Sequence, residues 1–134
     1  MTGVQTCALP ICEAAEVRRL QRVVELAGGS PDDVRGEDVC IAAAEGDDEA
    51  LAVVDEFARW VAIGLVNLTN LLDPDRFVLG GGLAESSELY IEPIRRWFVE
   101  LLYAPHLRPH PDLVFARFGP YAGAVGAAVL AGER

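Results

Sequence analysis

Several patterns that carry common functions are missing from this 134-residue chain. It contains no lysine, because all 11 basic residues are arginine, and this excludes the lysine-containing phosphate loop of P-loop proteins. No apolar run approaches the ~20 residues that span a bilayer, since Arg59 and Gly64 interrupt the longest one. The N-terminus lacks the basic segment and long apolar core of a secretory signal. Three cysteines at irregular spacing argue against a disulfide framework and for the reducing cytoplasm.

The chain is strongly acidic and rich in apolar residues. Its 21 acidic and 11 basic residues give a formal net charge of −10. A surface of this sign repels phosphate backbones, so we do not expect this segment to bind nucleic acid. Hydrophobic residues make up 51% of the chain, which is enough for a packed core within one domain or a piece of one.

The first twelve residues differ in character from the rest. They read MTGVQTCALPIC, and residues 4–11 resemble the translated read-through of a common sequencing-library adapter. We therefore interpret residues 1–12 as a non-native leader and residues 13–134 as a C-terminal fragment of a longer domain. The alternative is an ordinary short native N-terminus, and the origin of Cys12 stays open between the two.

Helical spacing dominates the first half of the chain. Apolar residues predict a helix over 13–27 that ends at Gly28, and an Ala-rich helix over 37–45 that stops at Gly46. Asp47 or Asp48 then caps a long helix over 49–72, which is predicted to be buried nearly all round in its second half. Its main stripe comprises Leu51, Val54, Ala58, Val61, Leu65, Leu68 and Leu72.

The second half alternates strand and helix patterns. Short apolar runs predict strands over 76–79 and 113–116, and between them a helix runs from Ser86 or Ser87 to about Leu102. A last helix over 121–131 follows. Strand, helix and strand form a βαβ unit with parallel strands and a right-handed crossover. The predicted fold class is therefore a helix-rich α/β domain.

A glycine triplet follows the first strand directly. Gly80, Gly81 and Gly82, together with Gly119 after the second strand, fall at the carboxyl edge of the predicted sheet, where open α/β sheets bind ligands. Glycine lets the backbone approach a phosphate or a ribose closely, although such a triplet is often only a turn. Metal binding is not expected, because prolines interrupt the segment that contains His106 and His110.

Two segments resemble the ROK family of bacterial sugar kinases and sugar-responsive repressors. They run from Trp60 to Gly82 (WVAIGLVNLTNLLDPDRFVLGGG) and from Phe118 to Ala128 (FGPYAGAVGAA). The resemblance covers residues 13–134 and is strongest to glucokinase-like members. It implies the C-terminal part of an actin-like ATPase domain of the ribonuclease H-like type.

The resemblance also implies a function for the glycine triplet. In the family this turn contacts the adenosine side of ATP, so Gly80, Gly81 and Gly82 become the candidate cofactor-binding residues. The parent protein is then expected to be an ATP-dependent hexose kinase that uses Mg²⁺, binds sugar and forms a homo-oligomer. The family's first phosphate loop, catalytic Asp, sugar motif and zinc motif do not occur in this sequence. We therefore assign no catalytic or metal residue and expect the fragment alone to be inactive.

Two other functions remain open at this point. A ROK repressor carries the same C-terminal half behind a DNA-binding helix-turn-helix, so this sequence alone does not separate the two classes. A helical interaction module is the third alternative, and it predicts that nothing binds at the glycine turns.

Overall fold

The computed structural model describes residues 20–81 and 87–132, which form helices and two strands. The chain divides into two compact units, Met1–Phe57 and Ala58–Arg134. In chain order the elements are α1 (Gln21–Leu26), α2 (Gly36–Ala44), α3 (Asp48–Leu72), β1 (Arg76–Leu79), α4 (Ser87–Leu101), β2 (Asp112–Phe115) and α5 (Ala122–Gly132). The long helix α3 begins in the first unit and continues into the second.

In the first unit, α1 packs against α2. Val23 and Val39 are buried, together with Ala42, and they form the apolar centre of this pair. Arg22 joins the two helices at the surface, where its Nη2 lies 2.9 Å from Glu45 Oε2. The hydrogen bond to Glu45 raises the pKa of Arg22, which stays charged. The part of the predicted first helix before residue 20 lies outside the described residues.

Asp47 caps α3. Its Oδ1 accepts a 2.8 Å hydrogen bond from the backbone N–H of Ala50, which would otherwise lack a partner in the first helical turn. Gly46 precedes it with a φ of +89°, and the N–H of Asp47 donates to the carbonyl of Ala42 at 3.0 Å. This pair of bonds ends α2 and starts α3 within two residues. The structure therefore selects Asp47 from the two predicted caps.

The buried stripe of α3 differs from the predicted one. Val54, Ala58 and Leu65 are buried as expected, whereas Leu68 and Leu72 are exposed. The predicted set follows a strict 3.5-residue repeat, which drifts by about 20° per heptad around a straight 3.6-residue helix. The real stripe keeps longer steps and uses small residues; it comprises Ala50, Val53, Val54, Ala58, Ala62, Leu65, Val66 and Thr69.

The prediction that the second half of α3 is buried nearly all round is wrong. Trp60, Leu68 and Leu71 remain exposed, so the described part of the chain leaves large apolar side chains of this half in contact with solvent. The helix is therefore amphipathic by packing although its sequence is apolar on several faces.

Polar side chains close the end of α3. Thr69 is buried, and its hydroxyl donates to the carbonyl of Leu65 at 2.8 Å. Asp73 has a left-handed backbone with a φ of +44°, and its carboxylate is bonded by Arg108 from the loop before β2. Arg108 also donates to Asn70 Oδ1 at 3.4 Å. These contacts hold the loop before β2 against the turn before β1.

The strands β1 and β2 pair in parallel, as predicted. Phe77 is opposite Leu113 in the register, and Arg76 forms an ion pair with Asp112 at 2.7 Å. The connecting helix α4 packs on β2 through a buried stripe with steps of four residues. That stripe comprises Tyr90, Ile94, Phe98 and, just beyond the helix, Leu102.

An arginine of α4 caps the outer edge of β2. The N–H groups of Asp112 and Ala116 donate to β1 and to the residue before it, so the alternation along the strand turns the carbonyl of Leu113 away from β1. Arg95 Nη2 donates to this carbonyl at 3.1 Å, and its Nη1 lies 2.9 Å from Glu92 Oε1. The acceptor at this edge is therefore already used.

The helix α5 follows a single 3₁₀ turn, Gly119–Tyr121. It is built mainly from alanine and glycine, and none of its residues is buried within the described structure. Among the described helices, none combines the length and apolar composition that a bilayer crossing needs.

Candidate nucleotide-binding edge

Two turns leave the sheet at its carboxyl edge. Gly80 follows β1, and Ala116 follows β2. The N–H of Ala116 donates to the carbonyl of Leu79 at 2.7 Å, so the parallel ladder continues to the last residue of β1. A Cβ built on Gly80 would lie 3.6 Å from the Cβ of Ala116, an ordinary contact. The two turns therefore start side by side.

Gly81 has the conformation that only glycine adopts easily. Its φ is +78°, in the left-handed region where an L side chain is strained. A Cβ placed there would meet no atom within 4 Å. The glycine is thus required by the backbone, and the space above it is open to a ligand. Gly82, the third predicted residue, lies outside the described residues.

The second turn presents two aromatic residues. The N–H of Gly119 donates to the carbonyl of Ala116 at 3.1 Å, and the N–H of Tyr121 donates to that of Phe118 at 3.0 Å. Gly119 has a φ of +48°, again with no atom within 4 Å of a built Cβ. Phe118 and Tyr121 are exposed. Neither residue was predicted as a site residue, and their position shortly after a predicted strand is the sequence signal that could have indicated them.

The electrostatics of this edge are simple. In the described turn residues 80–81 and 116–121, Arg117 is the one charged side chain, and it is exposed. No carboxylate lies in these positions. Across residues 20–81 and 87–132, no three His, Cys, Asp or Glu side chains gather as a metal site. His106 and His110 are exposed in the loop before β2, where His110 Nε2 lies 2.8 Å from the carbonyl of Pro105.

The amino-acid sequence matches the model of a known protein family. The family model described as "ROK family" matches residues 5–134, which is nearly the whole chain. The chain belongs to the ROK family. The resemblance seen in the two sequence segments is therefore confirmed.

Curated relatives of this ROK protein include sugar kinases. A glucokinase from Streptomyces coelicolor is 38% identical over 119 residues, which cover 89% of this chain and 38% of the relative. A glucokinase from Halalkalibacterium halodurans is 33% identical over 90 residues, covering 67% of this chain and 27% of the relative. An N-acetyl-D-glucosamine kinase from Yersinia pseudotuberculosis is 38% identical over 87 residues, covering 65% and 28%. The chain thus spans about two fifths or less of the length of these relatives.

Solved structures support the fold of this ROK chain. A ROK family glucokinase from Streptomyces griseus, solved in complex with glucose and AMPPNP, superposes with a TM-score of 0.84 at 36% identity; the match covers 93% of this chain and 40% of that one. A protein from Cytophaga hutchinsonii gives a TM-score of 0.63 at 21% identity, covering 89% and 41%, and shows the fold alone. The prediction of a helix-rich α/β part of an actin-like ATPase domain is confirmed.

Proposed function

We propose that this chain is the C-terminal part of an ATP-dependent hexose kinase of the glucokinase type. In this proposal Gly80, Gly81 and Gly82 form the wall against which the adenosine of ATP lies. The observation that carries it is the open space above the left-handed Gly81 at the carboxyl edge of a parallel sheet. The glucokinase names of the relatives and the glucose and AMPPNP in the Streptomyces griseus structure support the substrate assignment.

The parent protein would transfer the γ-phosphoryl group of ATP to a hydroxyl of glucose. The described turn residues supply backbone groups and open space, which fit a nucleoside, but no carboxylate. This edge therefore offers Mg²⁺ no protein ligand of the kind it prefers, and in our proposal the ion binds the nucleotide phosphates. Residues outside this sequence would supply the base that accepts the sugar's proton.

The proposal extends to compartment and assembly. The irregular spacing of the three cysteines argues against disulfides and supports a cytoplasmic protein, as expected for a kinase that uses cellular ATP. The exposed apolar side chains of Trp60, Leu68 and Leu71 on α3 are surface that a partner subunit would cover in the homo-oligomer we propose. The kinase names among the relatives favour a kinase over a repressor.

The test is a titration of the full chain with ATP, followed by the amide chemical shifts of Gly80 and Gly81. We expect ATP to shift these amides and Gly81→Val to weaken binding strongly, because a branched side chain would occupy the space above the turn. The same chain with glucose and Mg-ATP is expected to release no ADP above a no-protein control.

Gly46→Val is the matched control for the backbone effect. Gly46 has a φ of +89° and no atom within 4 Å of a built Cβ, so valine there causes a similar strain of about 1–2 kcal/mol. It caps α2 instead of following a strand. Equal losses of ATP binding in the two folded variants, or no ATP-dependent shift at Gly80 and Gly81, would contradict the proposal.

A further inference from the structure

Two exposed aromatic residues, Phe118 and Tyr121, lie at the proposed nucleotide edge. We propose that Phe118 and Tyr121 provide the surface on which the nucleobase stacks. This inference rests on the proposed function, because it assumes that a nucleotide binds at Gly80 and Gly81. It adds the part of the ligand that these residues would recognise.

The backbone brings the aromatic turn next to the glycine turn. Ala116 begins the aromatic turn, and its Cβ is the nearest side-chain atom to the place of a Cβ on Gly80, at 3.6 Å. The hydrogen bond from Gly119 N–H to Ala116 carbonyl then folds the chain back within three residues, so Phe118 stays close to the sheet edge. In our proposal a ligand at the glycine turn therefore extends over the aromatic turn that begins beside Gly80.

Both side chains leave more than half of their aromatic surface in water. Phe118 is 55% exposed and Tyr121 is 72% exposed, although burial of a large aromatic ring is favourable. Both follow a strand whose own residue Leu113 is buried. A flat, apolar and aromatic ligand would remove this surface from water without requiring any hydrogen-bonding side chain. A nucleobase has that shape, whereas a sugar or a phosphate does not.

The nucleobase and the phosphates of ATP would contact different groups at this edge, so their binding can be tested separately. Stacking acts on the base alone, while the exposed Arg117 and the backbone N–H groups of the turns act on phosphate. Adenosine carries the base without phosphate, and tripolyphosphate carries phosphate without the base. Loss of stacking must therefore weaken adenosine and ATP by the same factor and leave tripolyphosphate unchanged.

The experiment titrates the full chain with adenosine, ATP and tripolyphosphate, and follows amide chemical shifts in the wild type and in Phe118→Leu and Tyr121→Leu. Leucine keeps apolar volume and removes the ring. We expect each replacement to weaken adenosine and ATP about tenfold, the order of the effect measured when a stacked aromatic residue is removed. Phe118→Trp is expected to retain or improve adenosine binding because it enlarges the ring surface.

Tyr103→Leu is the matched control. Tyr103 is 86% exposed and lies in the loop before β2, away from the carboxyl edge, so its replacement should not change any of the three affinities. The inference is overturned if adenosine binds both leucine variants as tightly as the wild type, or if Tyr103→Leu causes the same loss. If the wild type binds neither ATP nor adenosine, the proposed function fails together with this inference. If ATP binding depends on Gly81 but not on the two aromatic residues, only the inference fails.

Discussion

Phe98 lies on the buried stripe of α4, the helix that packs against β2. Its side chain is 2% exposed, it is among the largest fully buried side chains of the described structure, and its ring contacts that of His110 edge-on at a centroid distance of 6.3 Å. Replacement of a buried phenylalanine by alanine costs about 3–5 kcal/mol, because transfer free energy is lost and a cavity remains. Domains of this size are stable by only about 5–15 kcal/mol. Phe98→Ala therefore removes a large share of the free energy of unfolding.

The assay is thermal unfolding followed by circular dichroism, with urea unfolding as a second measurement. A loss of 3–5 kcal/mol corresponds to a decrease in Tm of about 10 °C or more in the transition that includes the second unit. Phe118→Ala is the control, because it removes the same ring from an exposed position and is expected to change the free energy of unfolding by less than about 0.5 kcal/mol. Similar decreases in Tm for the two variants would refute the reasoning that α4 is held by this buried contact.

Two further predictions concern the ends of elements. Asp47→Ala should lower the free energy of unfolding by about 1 kcal/mol, because the N–H of Ala50 loses its cap, while Asp48→Ala should cost only a few tenths; urea unfolding of both variants measures the difference. Deletion of residues 2–11 should shift Tm by no more than a few degrees, on the order of 1 kcal/mol, since we interpret them as foreign to the fold. A larger shift would mean that these residues contribute to the native structure.

The local signals of the sequence predicted most element boundaries. Asp47, Gly46 and the Asp73-Pro74 pair act within one or two residues, so their effect on the backbone is visible in the sequence itself. The parallel pairing of β1 and β2 also followed from the sequence, because a helix between two short apolar runs leaves few other connections.

The faces of the helices were harder to predict, because they depend on partners far away in the sequence. In α3 the apolar residues occupy several sides, and small alanines rather than leucines face the core. A pattern of large apolar residues therefore selected Leu68 and Leu72 instead of Ala62 and Thr69. Thr69 can be buried because its hydroxyl donates a hydrogen bond to the carbonyl of Leu65 in the same helix, which satisfies the polar group.

The position of the glycine turn directly after β1 was predicted from the sequence, whereas its role in binding ATP stays a prediction. The sequence placed Gly80 and Gly81 after a strand, yet it could not tell which glycine has a backbone that excludes side chains. The structure assigns the left-handed φ to Gly81, while Gly80 has an ordinary conformation and tolerates a Cβ beside Ala116. The assignment of Gly80, Gly81 and Gly82 to ATP binding stays a prediction.

The bond between Arg95 and the carbonyl of Leu113 affects whether a further strand can pair with the outer edge of β2. A strand that joined the outer edge of β2 would have to displace this guanidinium, which is also paired with Glu92, before it could form its first ladder bond. An additional strand, or a strand of a neighbouring molecule during aggregation, would therefore meet an occupied acceptor at the β2 edge. A single arginine on the crossover helix thus protects this edge of the sheet from pairing.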